Sequence, residues 1–219
     1  MDGVVYACDI GSVKSGSFAW SRVVSLEAAP TASSDIDELL VQIVRDARAG
    51  GSVALGFEAP LFMPVPMYSE NLNSGRAQEG NRSMFAPVGA FVTTLSLHEA
   101  AWILRGLREQ IGAILEYTVD WRQPWRSSNG AARLLVWEAF VSSSAHSDTH
   151  ERDAATAARC FLDCEHRFAE VKAVTCEQPF SLIHCVAMFA GWSDDVVGLH
   201  SDCLVLKPEV AYDGPIDPA

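Results

Sequence analysis

The chain lacks the marks of export, of membrane insertion and of a simple nucleic-acid clamp. Its first residues, MDGVVYACDIGS, hold an acid at Asp2, no basic segment and only a short apolar run, so no signal peptide is read there. The longest uncharged late stretch, Gln178 to Ser193, contains His184 and is too short for a membrane span. The expectation is a soluble, cytoplasmic protein with no membrane partner. No Cys-x-x-Cys pair occurs among the six cysteines. Cys160 and Cys164, with His166 nearby, fall inside an apparent helix, and structural zinc sites present tighter knuckles. Reduced, buried thiols are therefore expected. Bases are also scarce: the formal net charge is −12, whereas proteins that clamp nucleic acid neutralise phosphates with clustered Lys and Arg. Internal repeats and linkers are missing too, which predicts one domain over residues 1–219.

What is present is a globular composition, 49% hydrophobic and 20% charged, with material for a large core. Charge is unevenly spread. Residues 71–133 carry five acids and seven arginines, a mildly positive segment within an acidic chain. This segment reads either as a phosphate contact or as ordinary surface.

Val4 to Asp9 is apolar almost throughout, as a strand buried on both faces should be. Gly11 and Gly16 then bracket a turn into SFAWSRVV, so the two runs predict an antiparallel hairpin. Ser34 and Asp37 resemble a capping box opening a helix whose apolar positions run from Ile36 to Ala47. VALGFE, residues 53–58, is a short apolar strand that ends in a carboxylate and is stopped by Pro60. Residues 60–87 are rich in Pro, Gly, Asn and Ser, and read as a long loop insertion acting as a lid or substrate-facing segment. A second helix is expected from about Ser96, with Glu99 completing a capping box. A loop then interleaves Trp121, Arg122, Trp125, Arg126 and Arg133, an alternation that serves single-stranded nucleic acid and also occurs in packed loops. LLVWEAF reads as a strand. Asp148-Thr149 caps an Ala-rich helix beginning at HERD, and a helix near 181–192 and a strand at CLVL follow. The sum is an α/β fold: a mixed sheet of about five strands flanked by helices, with the 60–87 insertion after the fourth strand.

Three acids stand where packing would not put them. Asp9 and Glu58 each end an apolar strand, and Asp153 lies in the first turn of a helix. A desolvated, unpaired carboxylate costs several kcal/mol, so such groups meet water, a base or a metal. If the two strands are parallel neighbours, both acids emerge at one sheet edge, where α/β sites gather. Clustered carboxylates suit a hard cation, Mg²⁺ or Mn²⁺.

CDIGSVKSGSFAW resembles the opening hairpin of the Holliday-junction resolvase branch of the ribonuclease H superfamily, an Asp-x-Gly-Ser-x-x-x-Gly pattern. FEAP resembles that branch's acidic strand end. His150-Glu151-Arg152-Asp153 resembles its final helix, where His or Asp and a second Asp lie three apart. The order of motifs is also similar to an uncharacterised ribonuclease-H-like family with Glu-Ala-Pro-Leu and Trp-Glu-x-Phe motifs. The resemblance implies a ribonuclease-H-like fold and hydrolysis of a phosphodiester by two divalent ions about 4 Å apart. Asp9 would bridge the ions, Glu58 and Asp153 would complete the shell, and His150 would assist a proton or orient an acid. Glu138 is a fourth acid to consider, reading equally as a partner for Arg133 or another arginine. Arg76, Arg82, Trp121, Arg122 and Arg126 are the expected substrate contacts. The acidic charge turns the expected partner from duplex DNA toward a short, single-stranded or nucleotide substrate.

Two other readings follow from the same residues. The Asp-x-Gly-Ser hairpin also resembles the nucleotide-binding proteins of the actin and sugar-kinase type, which normally carry a second similar domain. A non-catalytic interaction protein of the same fold would instead use an exposed Trp121/Trp125 loop or the Met-rich insertion as its contact surface.

Overall fold

The computed structural model describes residues 3–79, 83–126, 132–141 and 145–219. Its first strand, β1 (Gly3–Asp9), is buried at every position, as its unbroken apolar run requires. The chain turns through Val13–Ser15 and returns antiparallel as β2 (Ala19–Val23), with Asp9 opposite Ala19. Gly11 is required in this turn, because a β-carbon there would lie 2.2 Å from the carbonyl oxygen of Ser17. A short β3 (Thr31–Ser33) extends the hairpin.

Helix α1 (Ile36–Arg48) follows, but its cap is Asp35, whose side chain accepts from the amides of Asp37 and Glu38. The capping box expected at Ser34 is therefore shifted by one residue. Strand β4 (Ser52–Phe57) lies parallel to β1, pairing Phe57 with Cys8, so Asp9 and Glu58 leave neighbouring strands at the same edge.

The segment after β4 is more ordered than a loop insertion. It holds β5 (Phe62–Pro64), a 3-10 turn at Ser69–Asn71 and a single bridge from Ala77 to Thr175. The second helix, α2 (Pro87–Ile111), starts nine residues before the expected Ser96. Pro87 opens it, since a first-turn proline gives up an amide that would be unpaired anyway. Ser96 and Glu99 consequently lie inside the helix, both buried, and form no capping box.

Two more parallel strands, β6 (Leu115–Thr118) and β7 (Ala132–Ala139), complete the sheet beside β4. Gly56 allows β4 to meet β7, for a β-carbon there would sit 2.4 Å from the Trp137 ring. Helix α3 (His150–Cys164) is capped by Thr149, as the sequence predicts, and lies across β1 and β2 on four buried alanines. It stops at Cys164, and α4 (Phe168–Val171) is a separate turn. Strand β8 (Pro179–Ser181) pairs with β5, and α5 (Leu182–Phe189), β9 (Val205–Leu206) and β10 (Asp217–Pro218) follow.

Among the described residues the main sheet has eight strands in the order β10-β3-β2-β1-β4-β7-β6, with β9 beside the end of β7. That exceeds the five expected, because two- to four-residue strands carry too little period to be seen in sequence. The alternation of β1 sorts the two cores. Val4, Tyr6 and Cys8 face the layer of α1, α2 and α5, while Val5 and Ala7 face α3. Asp9 shares the parity of Val5 and Ala7. No helix among the described residues is long and apolar enough to cross a membrane.

Candidate functional site: a carboxylate cluster at the end of the sheet

The Thr149 hydroxyl accepts the amide of Arg152 and fixes the first turn of α3 over the end of β1. That turn delivers His150 and Asp153, three residues apart and on one face. Nδ1 of His150 is hydrogen-bonded to Oδ2 of Asp9 at 2.6 Å. Asp153 is fully buried; its Oδ1 accepts the amide of Ser147 at 2.7 Å, and its Oδ2 meets Nδ1 of His146. Two histidine–aspartate pairs thus stand side by side. Each carboxylate is the buried member, while the imidazoles of His146 and His150 are 59% and 50% exposed.

The electrostatics show a site short of buried positive charge. Burial pushes the Asp9 carboxyl up to about 6, against the bond from His150, and the charge of Asp153 adds to the rise. Glu99 approaches the end of β1 from the α2 side and is pushed up to about 8 by burial and by Asp9. Its buried Oε2 has no hydrogen-bond partner. Burial and neighbouring anions both penalise the charged form, and here they act together.

Of the residues expected at the site, the structure brings Asp9, His150 and Asp153 into one charge cluster and sets Glu58 on the adjacent strand end. Glu58 also faces a cavity of about 590 Å³ that Arg76 and Glu138 line. Those two belong to each other. Arg76 makes a bidentate pair with Glu138, both contacts 2.7 Å, and its Nε and Nη2 also donate to Oε1 of Glu79 at 2.9 and 2.8 Å. All three side chains are at most 2% exposed. Glu138 also accepts the amide of Leu61 at 2.9 Å. Its arginine partner is therefore Arg76, 62 residues away, and not Arg133.

The tryptophan–arginine loop lies elsewhere. Trp125 is buried against Gly3, at the opposite end of β1 from Asp9, and stacks edge-on to Phe161. Arg126 pairs with Glu165 at 2.9 Å, and Arg122 covers Trp121 and reaches Asp202. The expected exposed Trp121/Trp125 surface is thus corrected for Trp125, whose ring completes the core under α3. Arg82 lies outside the described residues. All six cysteines are free.

Two groups escaped the sequence reading. Glu99 was disguised as the third residue of a capping box, and only a helix starting at Pro87 turns it toward β1. His146 precedes α3 and carries one signal, its place four residues before His150.

In kind, the oxygens of Asp9, Glu58 and Asp153 suit a hard divalent cation. As arranged, no group of three or more His, Cys, Asp or Glu among the described residues is set to hold one. His150 and His146, both reachable from solvent, meet Oδ2 of Asp9 and Oδ2 of Asp153, while the Ser147 amide holds Oδ1 of Asp153, so an ion arriving at the Oδ2 atoms would displace imidazoles. Compared with known proteins, the chain matches no family model, no curated protein and no solved structure.

Proposed function

We propose that this chain is a divalent-metal-dependent phosphodiesterase of the nuclease type, ribonuclease-H-like in fold and cytoplasmic, acting on nucleic acid or a short nucleotide substrate. One observation carries the reading: Asp9 and Glu58 end adjacent parallel strands, and α3 lays Asp153 beside Asp9, with half-exposed histidines in contact with the two aspartates. Asp9, Glu58 and Asp153 would hold Mg²⁺ or Mn²⁺. The ion would supply polarisation of the phosphoryl oxygens and activation of a bound water. The chain's own contribution is positioning and proton handling. The Thr149 cap and the Ser147 amide fix Asp153, while His150 and His146 set an imidazole Nδ1 against each aspartate.

Purified protein with Mn²⁺ should hydrolyse bis(4-nitrophenyl) phosphate, and Asp9→Asn should abolish the reaction. Undiminished hydrolysis by that variant, or none by the parent protein, sinks the assignment. A non-catalytic interaction protein has one observation in its favour, the exposed side chains of Met67, Tyr68 and Leu72 on the segment after β5. Replacing these three with serine should leave hydrolysis intact if the enzyme reading holds.

A further inference from the structure

The cavity beside Glu58 lies between the end of β7, the ordered insertion and the first turns of α2. Its volume, about 590 Å³, falls within the range of about 300–1,000 Å³ typical of pockets for small ligands. Its apolar wall includes Pro60, Val88, Val92 and Phe140. Among the described residues its ionisable groups are three glutamates (58, 79 and 138) against one arginine, Arg76, which is already committed to Glu79 and Glu138.

We propose that this cavity receives the base of a single nucleotide unit whose phosphate lies at the carboxylate cluster, making the substrate a mononucleotide- or dinucleotide-sized phosphodiester. The inference rests on the phosphodiesterase reading and names its substrate class. The apolar walls take the faces of a planar ring. Glu58 belongs both to the cavity and to the sheet edge, so base and phosphate sites are continuous. A long polymer is disfavoured on the same grounds. The net charge is −12, and the arginines that would track a backbone are buried at Arg76 or engaged with acids at Arg122 and Arg126.

The test uses adenosine, which carries the base without the phosphate or any need for metal. In isothermal calorimetry the full chain should bind adenosine and ignore ribose 5-phosphate. Val92→Trp and Ala86→Trp, which fill the cavity from two sides, should each weaken binding by about tenfold or more. Both variants are first checked by circular dichroism, and the second stands in should the first misfold. No heat with adenosine, or equal binding by the parent and both variants, overturns the inference. Mn²⁺-dependent hydrolysis is scored separately, with the dinucleotide ApA and a DNA duplex as substrates. Faster cleavage of the duplex also overturns it. Adenosine binding without any hydrolysis removes the phosphodiesterase reading and leaves the base pocket standing.

Discussion

Two clusters of buried carboxylates lie at the same end of the sheet, and they are balanced in opposite ways. Around Arg76, one guanidinium binds Glu138 through both its oxygens and Glu79 through Oε1, and Glu138 takes a backbone amide besides. Around Asp9, the groups in contact are imidazoles near the surface, and Glu99 nearby holds its carboxyl pushed up to about 8. The first arrangement is closed and ties the insertion to β7. The second is contacted only by half-exposed imidazoles and by the Ser147 amide. The comparison teaches that burial of an acid says little until its partner is known. A filled partner marks architecture, and a replaceable one marks a site.

The contrast is broken most severely at Arg76. Arg76→Met leaves Glu79 and Glu138 buried without their cation and should cost about 3–5 kcal/mol in urea denaturation. A loss below about 1 kcal/mol would mean that this cluster is as open as the other. Asp9→Asn should behave inversely. Hydrolysis should fall about a hundredfold or more, while the midpoint of urea unfolding stays or rises, because a disfavoured charge is removed. A variant equally impaired in folding would place Asp9 with the architectural acids.

The fold around these clusters was legible to different depths. β1, the hairpin, α1, β4 and the Thr149 cap are carried by unbroken apolar runs or by a polar cap, signals that survive in one sequence. The start of α2 is not, because Ala86 offers no side-chain cap and the Pro-Val-Gly opening reads as a turn. That single error hid Glu99, since a helix begun at Ser96 leaves its third residue at the surface. Strand ends gave Asp9 and Glu58 directly. The partnership of Arg76 with Glu138 spans 62 residues and depends on how the insertion folds back, which no local pattern encodes. Trp125 has arginines on either side in sequence, yet its ring is buried, with the Arg126 guanidinium over it.

A finer test separates the clusters by pH. In metal-free protein, Asp9 is raised from 3.8 to about 6 and Glu99 from 4.5 to about 8. Each therefore binds its proton more tightly in the folded state, so its contribution is fully present below the unfolded value and is lost as pH rises through the folded one. The groups facing them are His150, Asp153 and His146 for Asp9, and Asp9 itself for Glu99. Glu99→Gln should gain on the parent protein by about 1–2 kcal/mol between acid and mildly alkaline pH, read by urea denaturation at each pH. A constant difference across that window would show that Glu99 carries no such penalty.

The smallest effect is expected at the far end of β1. Arg126→Ala removes a half-exposed pair with Glu165 and should change stability by at most about 1 kcal/mol. Its hydrolytic rate should stay within about twofold of the parent's, since Arg126 meets Gly3 and not Asp9. A large loss of activity there would mean that substrate runs the length of the sheet.

The most direct measurement is a calorimetric titration of metal-free protein with Mn²⁺. Saturable binding is predicted for the parent chain and for Arg126→Ala, and its loss for Asp9→Asn and Asp153→Asn. Absence of binding, or binding that survives both aspartate substitutions, would contradict the claim that the imidazole-closed cluster is a cation site.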